Sequence, residues 1–432
     1  MDTASRQSRV RRLVEWTPPR WALLGLLLVA LIVRGRFVLS HVDSLRQDPD
    51  GYGAVARTLA EGGVFAHSPL FPVPTAQRPP LYPIALVAVT YLPPGQQAYG
   101  VGFLHVLLGV GTVWAVWRLG RQWNLPPGTS LLGAALVAAD PLLLAQSTLV
   151  MTETMATFLA AIALVAVSRY ASGGSIAWAA ASGLLLALCV LCRPVFLPWL
   201  VLVGVTLTLR DVGPGRVARL AAFAGGAALV LAPWAGRNLM QLGSPVITTT
   251  HGGFTLLLAN NPQFYEYLRN GAWGEVWDGE PIYAAQPRRG QDELAVDSAN
   301  YAQALENIRA EPGMFAWSCL VRLGRLWNVL PHRLSVDESS RRRGLRYAVA
   351  IFYTFEFALA ATGVWFLRGK LFAHPWLWGT LLVLSITAVH AFYWTNMRMR
   401  APLVPVVALA AAHGATLLAC GRSDASATES AS

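Results

Sequence analysis

The sequence predicts an all-α protein that crosses a membrane many times. Only 13% of its residues are charged and 54% are hydrophobic, whereas a soluble chain carries about 25% charged residues. The mean hydropathy is +0.44. Apolar runs close to the roughly 20 residues that a spanning helix needs recur along the chain.

The first such run, "WALLGLLLVALIV", follows a basic stretch and has no small-x-small cleavage site after it; the chain continues through Arg34 and Arg36. It therefore reads as a retained span at 21–40 behind a cytoplasmic tail at 1–20. Further spans are expected at 98–119, 130–148, 153–170, 175–192, 195–210, 217–234, 347–367, 374–394 and 401–419. The stretch "PPLYPIALVAVTYLPP" at 79–94 is short and bounded by Pro, so it reads as an interfacial or re-entrant helix. With 79–94 not crossing, Arg118, Arg121, Arg169, Arg210, Arg216 and Arg219 all fall on the cytoplasmic side, as the positive-inside rule requires. If it crossed, all six would face outward.

This topology divides the chain. A transmembrane module covers 21–234 and contains an outer loop at 41–97. Residues 235–311 are polar and rich in Gly, Asn, Trp and Tyr, and form an extracytoplasmic segment. Within it, "DELAVDSANYAQALENIRAEP" has amphipathic helical spacing and a Pro stop. The C-terminal helices occupy 312–420, and the polar tail 421–432 reads as disordered. Arg322 and Arg325 interrupt the apolar stretch 312–330, which leaves two topologies, of eleven and ten spans. If 312–330 spans, Arg398 and Arg400 face the cytoplasm. If it lies on the outer surface, ten spans result and both face outward.

Several function classes recede. A net charge of +11 could suggest nucleic acid, but in a chain of apolar runs Arg marks cytoplasmic loops and anion sites. Cys189 and Cys192 form a CxxC inside apolar helix, which reads as an inert buried pair. There is no zinc spacing, no GxxxxGK[ST] and no GxSxG. A secondary transporter or lipid flippase is the alternative class. Such proteins usually carry inverted repeats with helices broken at the midplane, and no repeat is evident here.

The polar residues crowd the outer side instead. The carboxylates there are Asp48, Asp50 and Glu153; the cations are Arg34, Arg78, Arg193, Arg237, Arg398 and Arg400, with His251 nearby. A carboxylate near the surface can act as a general base. Clustered guanidinium groups fork onto phosphate oxygens. Each residue also has a plainer reading. Asp50 can cap the following helix, and Glu153 can favour a helix N-terminus. Arg193 can snorkel to the interface, and Arg34 can pair with Asp48 or a lipid headgroup. Arg341, Arg342 and Arg343 read as lipid-headgroup or loop-surface contacts.

Six ordered motifs then carry a resemblance. They are "DPDGYGAVARTLAEGG", with Asp48 four residues before Tyr52; "QRPPLYPIAL"; "TLVMTETMATFLA"; "LCRPVFL"; "APWAGRNLMQLGSPVITTTHGGFTLLLANNP"; and "MRMRAPLVPVVALAAA". In order and spacing over roughly 20–420 the chain resembles the polytopic GT-C glycosyltransferases of family 39 and its relatives, which include protein O-mannosyltransferases and lipid A aminoarabinose transferases. The resemblance implies a GT-C fold of about 10–11 transmembrane helices. It also implies an enzyme in a bacterial cytoplasmic (inner) membrane with its active site on the outer face. The donor would be a polyprenyl-phosphate sugar, and the acceptor a hydroxyl of a glycan, lipid or protein.

Asp48 would be the general base of an inverting transfer, with Glu153 as a second catalytic carboxylate. Arg193, Arg237, Arg398 and Arg400 would hold the donor phosphate. Asp50, Tyr52, Arg78, Tyr82, His251 and Asn260 would contact substrate. No cofactor is required; a divalent metal is possible but not indicated. The lipid A aminoarabinose transferases carry a Glu before the first-loop Pro element, where this chain reads Thr75, Ala76, Gln77, Arg78. Gln77 cannot act as a base and is a poor metal ligand.

Overall fold

The computed structural model describes residues 20–271, 277, 279–285, 292–333 and 338–420. The expected N-terminal and C-terminal tails lie outside the described residues, apart from Arg20, as do parts of the segment 235–311. Everything described is helix and connecting loop. In order the helices are α1 (Arg20–Ser40), α2 (Tyr52–Gly62), α3 (Leu81–Thr90), α4 (Gln97–Gln122), α5 (Pro127–Ala139), α6 (Pro141–Gln146) and α7 (Glu153–Gly173). They continue as α8 (Ile176–Cys192), α9 (Leu197–Arg210), α10 (Arg216–Leu242), α11 (Gly252–Ala259), α12 (Pro262–Arg269), α13 (Glu280–Ala284) and α14 (Glu293–Ala310). The last four are α15 (Pro312–Leu326), α16 (Ser340–Leu367), α17 (Leu377–Phe392) and α18 (Val404–Cys420), with a 3-10 helix at Met397–Leu403 leading into α18.

Among the described residues six helices are long and apolar enough to cross a membrane, and there are shorter apolar helices besides. Close crossings between them rest on glycine. A Cβ on Gly183 of α8 would collide with the Phe223 carbonyl of α10, and one on Gly226 of α10 with the Ala180 carbonyl of α8. Gly363 of α16 and Gly414 of α18 meet the facing backbone in the same way. Small residues let helix backbones approach where lipid supplies no hydrophobic drive.

Contacts define two ends of the bundle. At one end Asp211 accepts from Tyr170 Oη (2.6 Å) and Arg219 Nε (2.8 Å), Arg210 donates to the Phe372 carbonyl (3.0 Å), and Ser172 meets His374 (3.1 Å). At the other end Glu153 pairs with Arg193 and Arg398. The starts of α7 and of the 397–403 helix are thus on one face, opposite the 211–219 hairpin. Arg400 stacks on Tyr353 and Phe357, while Gly414 sits against Leu359 and Gly363 further along. α16 and α18 therefore run in the same direction, away from the Glu153 end.

In the C-terminal third, α16 and α18 are long apolar helices and α15 is not among those long and apolar enough to cross. α15 has 15 residues, about 22 Å of helix, and packs against the 252–269 helices. Its Arg322 donates to the carbonyls of Ala391 (2.7 Å) and Ala259 (2.6 Å), and its Arg325 reaches Tyr267 Oη (3.3 Å). The single span expected at 130–148 is not one helix. Asp140 adopts an extended conformation and its carboxylate accepts from Leu143 N (2.7 Å), so α5 stops and the short α6 starts at Pro141. Proline at the first helical position lacks only a donor that would be unpaired anyway.

Candidate active site

Asp48 stands before α2, whose first turn needs an acceptor for its free N–H groups. Gly51 supplies the left-handed residue (φ +74) that swings the chain into the helix. Asp48 Oδ2 then accepts from Ala54 N at 2.9 Å. Its other oxygen, Oδ1, is buried and has no hydrogen-bond partner. One oxygen is thus anchored and the second is left free. Asp50 does not cap this helix. It pairs with Arg78, whose Nε donates to the Asp50 carbonyl (2.8 Å) and whose Nη2 lies 3.7 Å from Oδ1. Arg78 also stacks over Tyr52 at 5.7 Å.

Tyr52 bridges to the second half of the site. Its ring meets Tyr82 edge-on at 5.3 Å. It lies within electrostatic reach of Arg78, Asp50, Arg193 and Glu153, and burial pushes its hydroxyl up to about 12. Tyr82 is fully buried and holds His105 Nε2 at 2.9 Å; His105 Nδ1 donates to the Ser147 carbonyl (3.0 Å). Tyr82 therefore fixes the floor of the site, and its hydroxyl is occupied.

Glu153 opens α7 and is 1% exposed. Oε1 lies 2.9 Å from Arg193 Nη1 and 3.6 Å from Arg398 Nε; Oε2 has no hydrogen-bond partner. Arg193 ends α8 just before Pro194, and its other arm touches the Met399 sulfur. Two cations share one carboxylate, so the cluster keeps a net positive charge suited to an anion. Glu153, expected as a second catalytic carboxylate, thus has Oε1 engaged as counter-ion to the two arginines and Oε2 unpartnered.

Three other expected site residues are placed elsewhere. Arg237 donates to the carbonyls of Thr75 (2.8 Å) and Phe65 (3.2 Å) and stacks on Phe65 and Trp234. It ties the outer loop to α10. Arg400 is 2% exposed and is held by the Leu326 carbonyl (3.2 Å), the Asn328 carbonyl and the Tyr353 ring. Asn260 is buried among the Leu256 and Phe392 carbonyls, Tyr265 and Arg322. Arg237 and Asn260 are taken up by these contacts, whereas Arg400 uses only Nη1 on the carbonyls and keeps Nε and Nη2 buried without a hydrogen-bond partner. His251 begins α11 near Arg78 and His67; burial, with those two neighbours, pushes it down to about 3, so it adds no charge. Arg34 is buried against Gly109 and donates to the Val137 carbonyl (3.0 Å). Among the described residues no three His, Cys, Asp or Glu side chains converge as a metal site.

Sequence reasoning passed over His105, Asp140, Tyr353 and Glu356. All four are buried inside predicted spans, and for the three ionisable ones other than Tyr353 that position was the available signal. Asp140 accepts from Tyr353 Oη (3.1 Å), which connects α6 to α16 behind Arg400.

Residues 69–235 match the family model described as dolichyl-phosphate-mannose-protein mannosyltransferase. No curated protein matches the chain. Among solved structures, the oligosaccharyltransferase of Archaeoglobus fulgidus tethered to an acceptor peptide containing the NVT sequon aligns over 91% of this chain, at 15% identity and a TM-score of 0.51. Its apo form gives 14% identity and the same TM-score. This chain covers 49% and 50% of those chains, about half their length. ArnT from Cupriavidus metallidurans bound to undecaprenyl phosphate aligns over 89% of this chain and 77% of its own, at 13% identity and a TM-score of 0.42. The matched segment contains Arg78, Glu153 and Arg193, and the two alignments to the oligosaccharyltransferase show a shared helical fold.

Proposed function

We propose that this protein transfers a sugar from a polyprenyl-phosphate donor to a hydroxyl acceptor on the extracytoplasmic face, with inversion at the anomeric carbon. The observation that carries the reading is Asp48, with Oδ2 anchored on the α2 N-terminus and Oδ1 buried and unpartnered. A base needs an oxygen free to take a proton and an orientation that does not drift. In the proposed step Oδ1 removes the proton of the acceptor hydroxyl while the acceptor oxygen attacks C1, and the C1–O bond to the lipid phosphate breaks with the electron pair leaving on the phosphate. The carboxylate also suits the positive charge of an oxocarbenium-like transition state.

Arg193 and Arg398 would stabilise the departing phosphate. Glu153 holds both guanidinium groups in place beforehand, so no reorganisation is needed when charge develops. The family matched over 69–235 is named for a lipid-phosphate sugar donor, which supports this assignment of donor class. The outer-face reading rests on the arginines of the 118–121 and 210–219 regions gathering at the opposite end.

Purified protein with radiolabelled polyprenyl-phosphate sugars and membrane extract as acceptor tests the proposal. Asp48→Asn is expected to lower turnover by about 10²–10⁴-fold with the detergent melting temperature nearly unchanged, and Asp50→Asn to cost far less. Wild-type turnover in Asp48→Asn would remove Asp48 as base. Substrate accumulation in sealed vesicles without transfer would favour a transporter.

A further inference from the structure

At the Asp48 end a cavity of about 430 Å³ opens between Trp317, Leu320, Val321 and Gly324 of α15, with Arg325, Asn328 and His332 at its polar side. None of the transfer-site residues lines it. The loop that forms one wall is tied to α16: Arg346 Nη1 donates to the Pro331 carbonyl (2.9 Å), and its Nε pairs with Glu338 (2.9 Å). His332 lies within electrostatic reach of Arg325 and Arg346.

One helical turn before Arg346 stand Arg342 and Arg343, on the same face by the three- and four-residue spacing. Both are exposed. Their position is unusual. α16 starts at the end that carries Glu153 and Arg193, so this basic group faces the side where the positive-inside rule disfavours it. The rule is obeyed elsewhere in the chain, by Arg118, Arg121, Arg210 and Arg216. A basic cluster kept against it beside an apolar cavity has the composition of a site for an anionic amphiphile.

We propose that this cavity binds an anionic phospholipid of the surrounding bilayer, with its phosphate diester on Arg342, Arg343 and Arg346 and one acyl chain between Trp317, Leu320 and Gly324. The site is separate from the transfer reaction and does not depend on the donor assignment. Arg325 and His332 line the neck where headgroup and chain join. The wall at Gly324 has open space, since a Cβ there would meet nothing within 4 Å.

The full chain reconstituted in nanodiscs provides the test. Retained lipid is counted by native mass spectrometry after exposure to phosphatidylglycerol or phosphatidylcholine in equal amounts. Wild type is expected to retain phosphatidylglycerol preferentially. Arg342→Gln with Arg343→Gln is expected to cut that preference by about thirtyfold, from two surface arginines. Gly324→Leu, which fills the cavity, is expected to weaken retention of both lipids without lowering the melting temperature in detergent. Equal retention of the two lipids by wild type, or an unchanged preference in both variants, overturns the proposal. So does a raised KM for the polyprenyl-phosphate sugar in the double arginine variant, which would give the cluster to the donor.

Discussion

The arginines Arg398 and Arg400 are two residues apart and do different work. They sit in a 3-10 helix, which advances about 120° per residue, so they point to different sides. Arg398 is turned to Glu153, while Arg400 is turned inward to Tyr353. The proposed phosphate role can be separated from simple charge by substitution with lysine, which keeps the charge and loses the fork. Arg193→Lys and Arg398→Lys are expected to raise the donor KM by about tenfold or more, the worth of one charge-assisted hydrogen bond, with acceptor preference unchanged. Arg118→Lys at the opposite end should leave transfer kinetics as they are. If Arg193→Lys and Arg398→Lys both match Arg118→Lys, the pair only anchors helix ends.

At this scale the sequence was legible where a charged residue ends a span. Glu153 and Arg193 stood out that way, and Asp48 by its place four residues before Tyr52 in the loop after the first span. It was not legible where backbone carbonyls take up the side chain. Arg237 and Asn260 sit in motifs like any site residue, and only the fold shows that Thr75, Phe65, Leu256 and Phe392 occupy them. Asp140 and Glu356 were hidden for a different reason. Each lies inside an apolar run; Asp140 meets Tyr353 and Arg400, and Glu356 meets Asp140 and Arg400, all from distant sequence.

Among the elements, the α8–α10 pair carries the tightest packing. Gly183 and Gly226 let the two backbones meet, and α8 delivers Arg193 at its end. Gly226→Leu is expected to destabilise the protein by about 1–3 kcal/mol, the usual cost of overpacking, read as a lowered melting temperature. Donor affinity should weaken with it, because a displaced α8 moves Arg193 away from Glu153. Gly225→Leu, whose Cβ direction is open, is the matched control. Spans such as α4 and α7 were readable from length and hydropathy alone. The break between α5 and α6 was not, because "VAADPLLLA" is apolar enough to continue; the Asp140–Pro141 step ends the helix by capping.

For the whole molecule the consequence is topology. The proposed orientation, with ten crossings, would place 61 and 270 on one side of the membrane and 214 on the other. In a background with the four native cysteines replaced, Glu61→Cys and Asn270→Cys, both exposed positions, should react in intact cells with an impermeant thiol reagent. Pro214→Cys should react only after permeabilisation. Labelling of 214 from outside, with 61 protected, would invert the proposed orientation and move the transfer site to the cytoplasm.

The neck of the outer loop has a consequence of its own. Thr75 N donates to the Phe65 carbonyl at 3.0 Å, and the single guanidinium of Arg237 grips both flanking carbonyls. Glu293 of α14 then pins Thr75 and the Ala76 N–H, each at 2.7 Å. What hangs beyond this clasp, with Leu70 82% and Phe71 77% exposed, is insulated from Asp48 on one flank and Arg78 on the other. Residues 68–73 are therefore free to vary in length and composition while the chemistry stays fixed. Such a clasp lets one catalytic frame wear different tips, so that relatives sharing it can diverge in what they approach without rebuilding how they react.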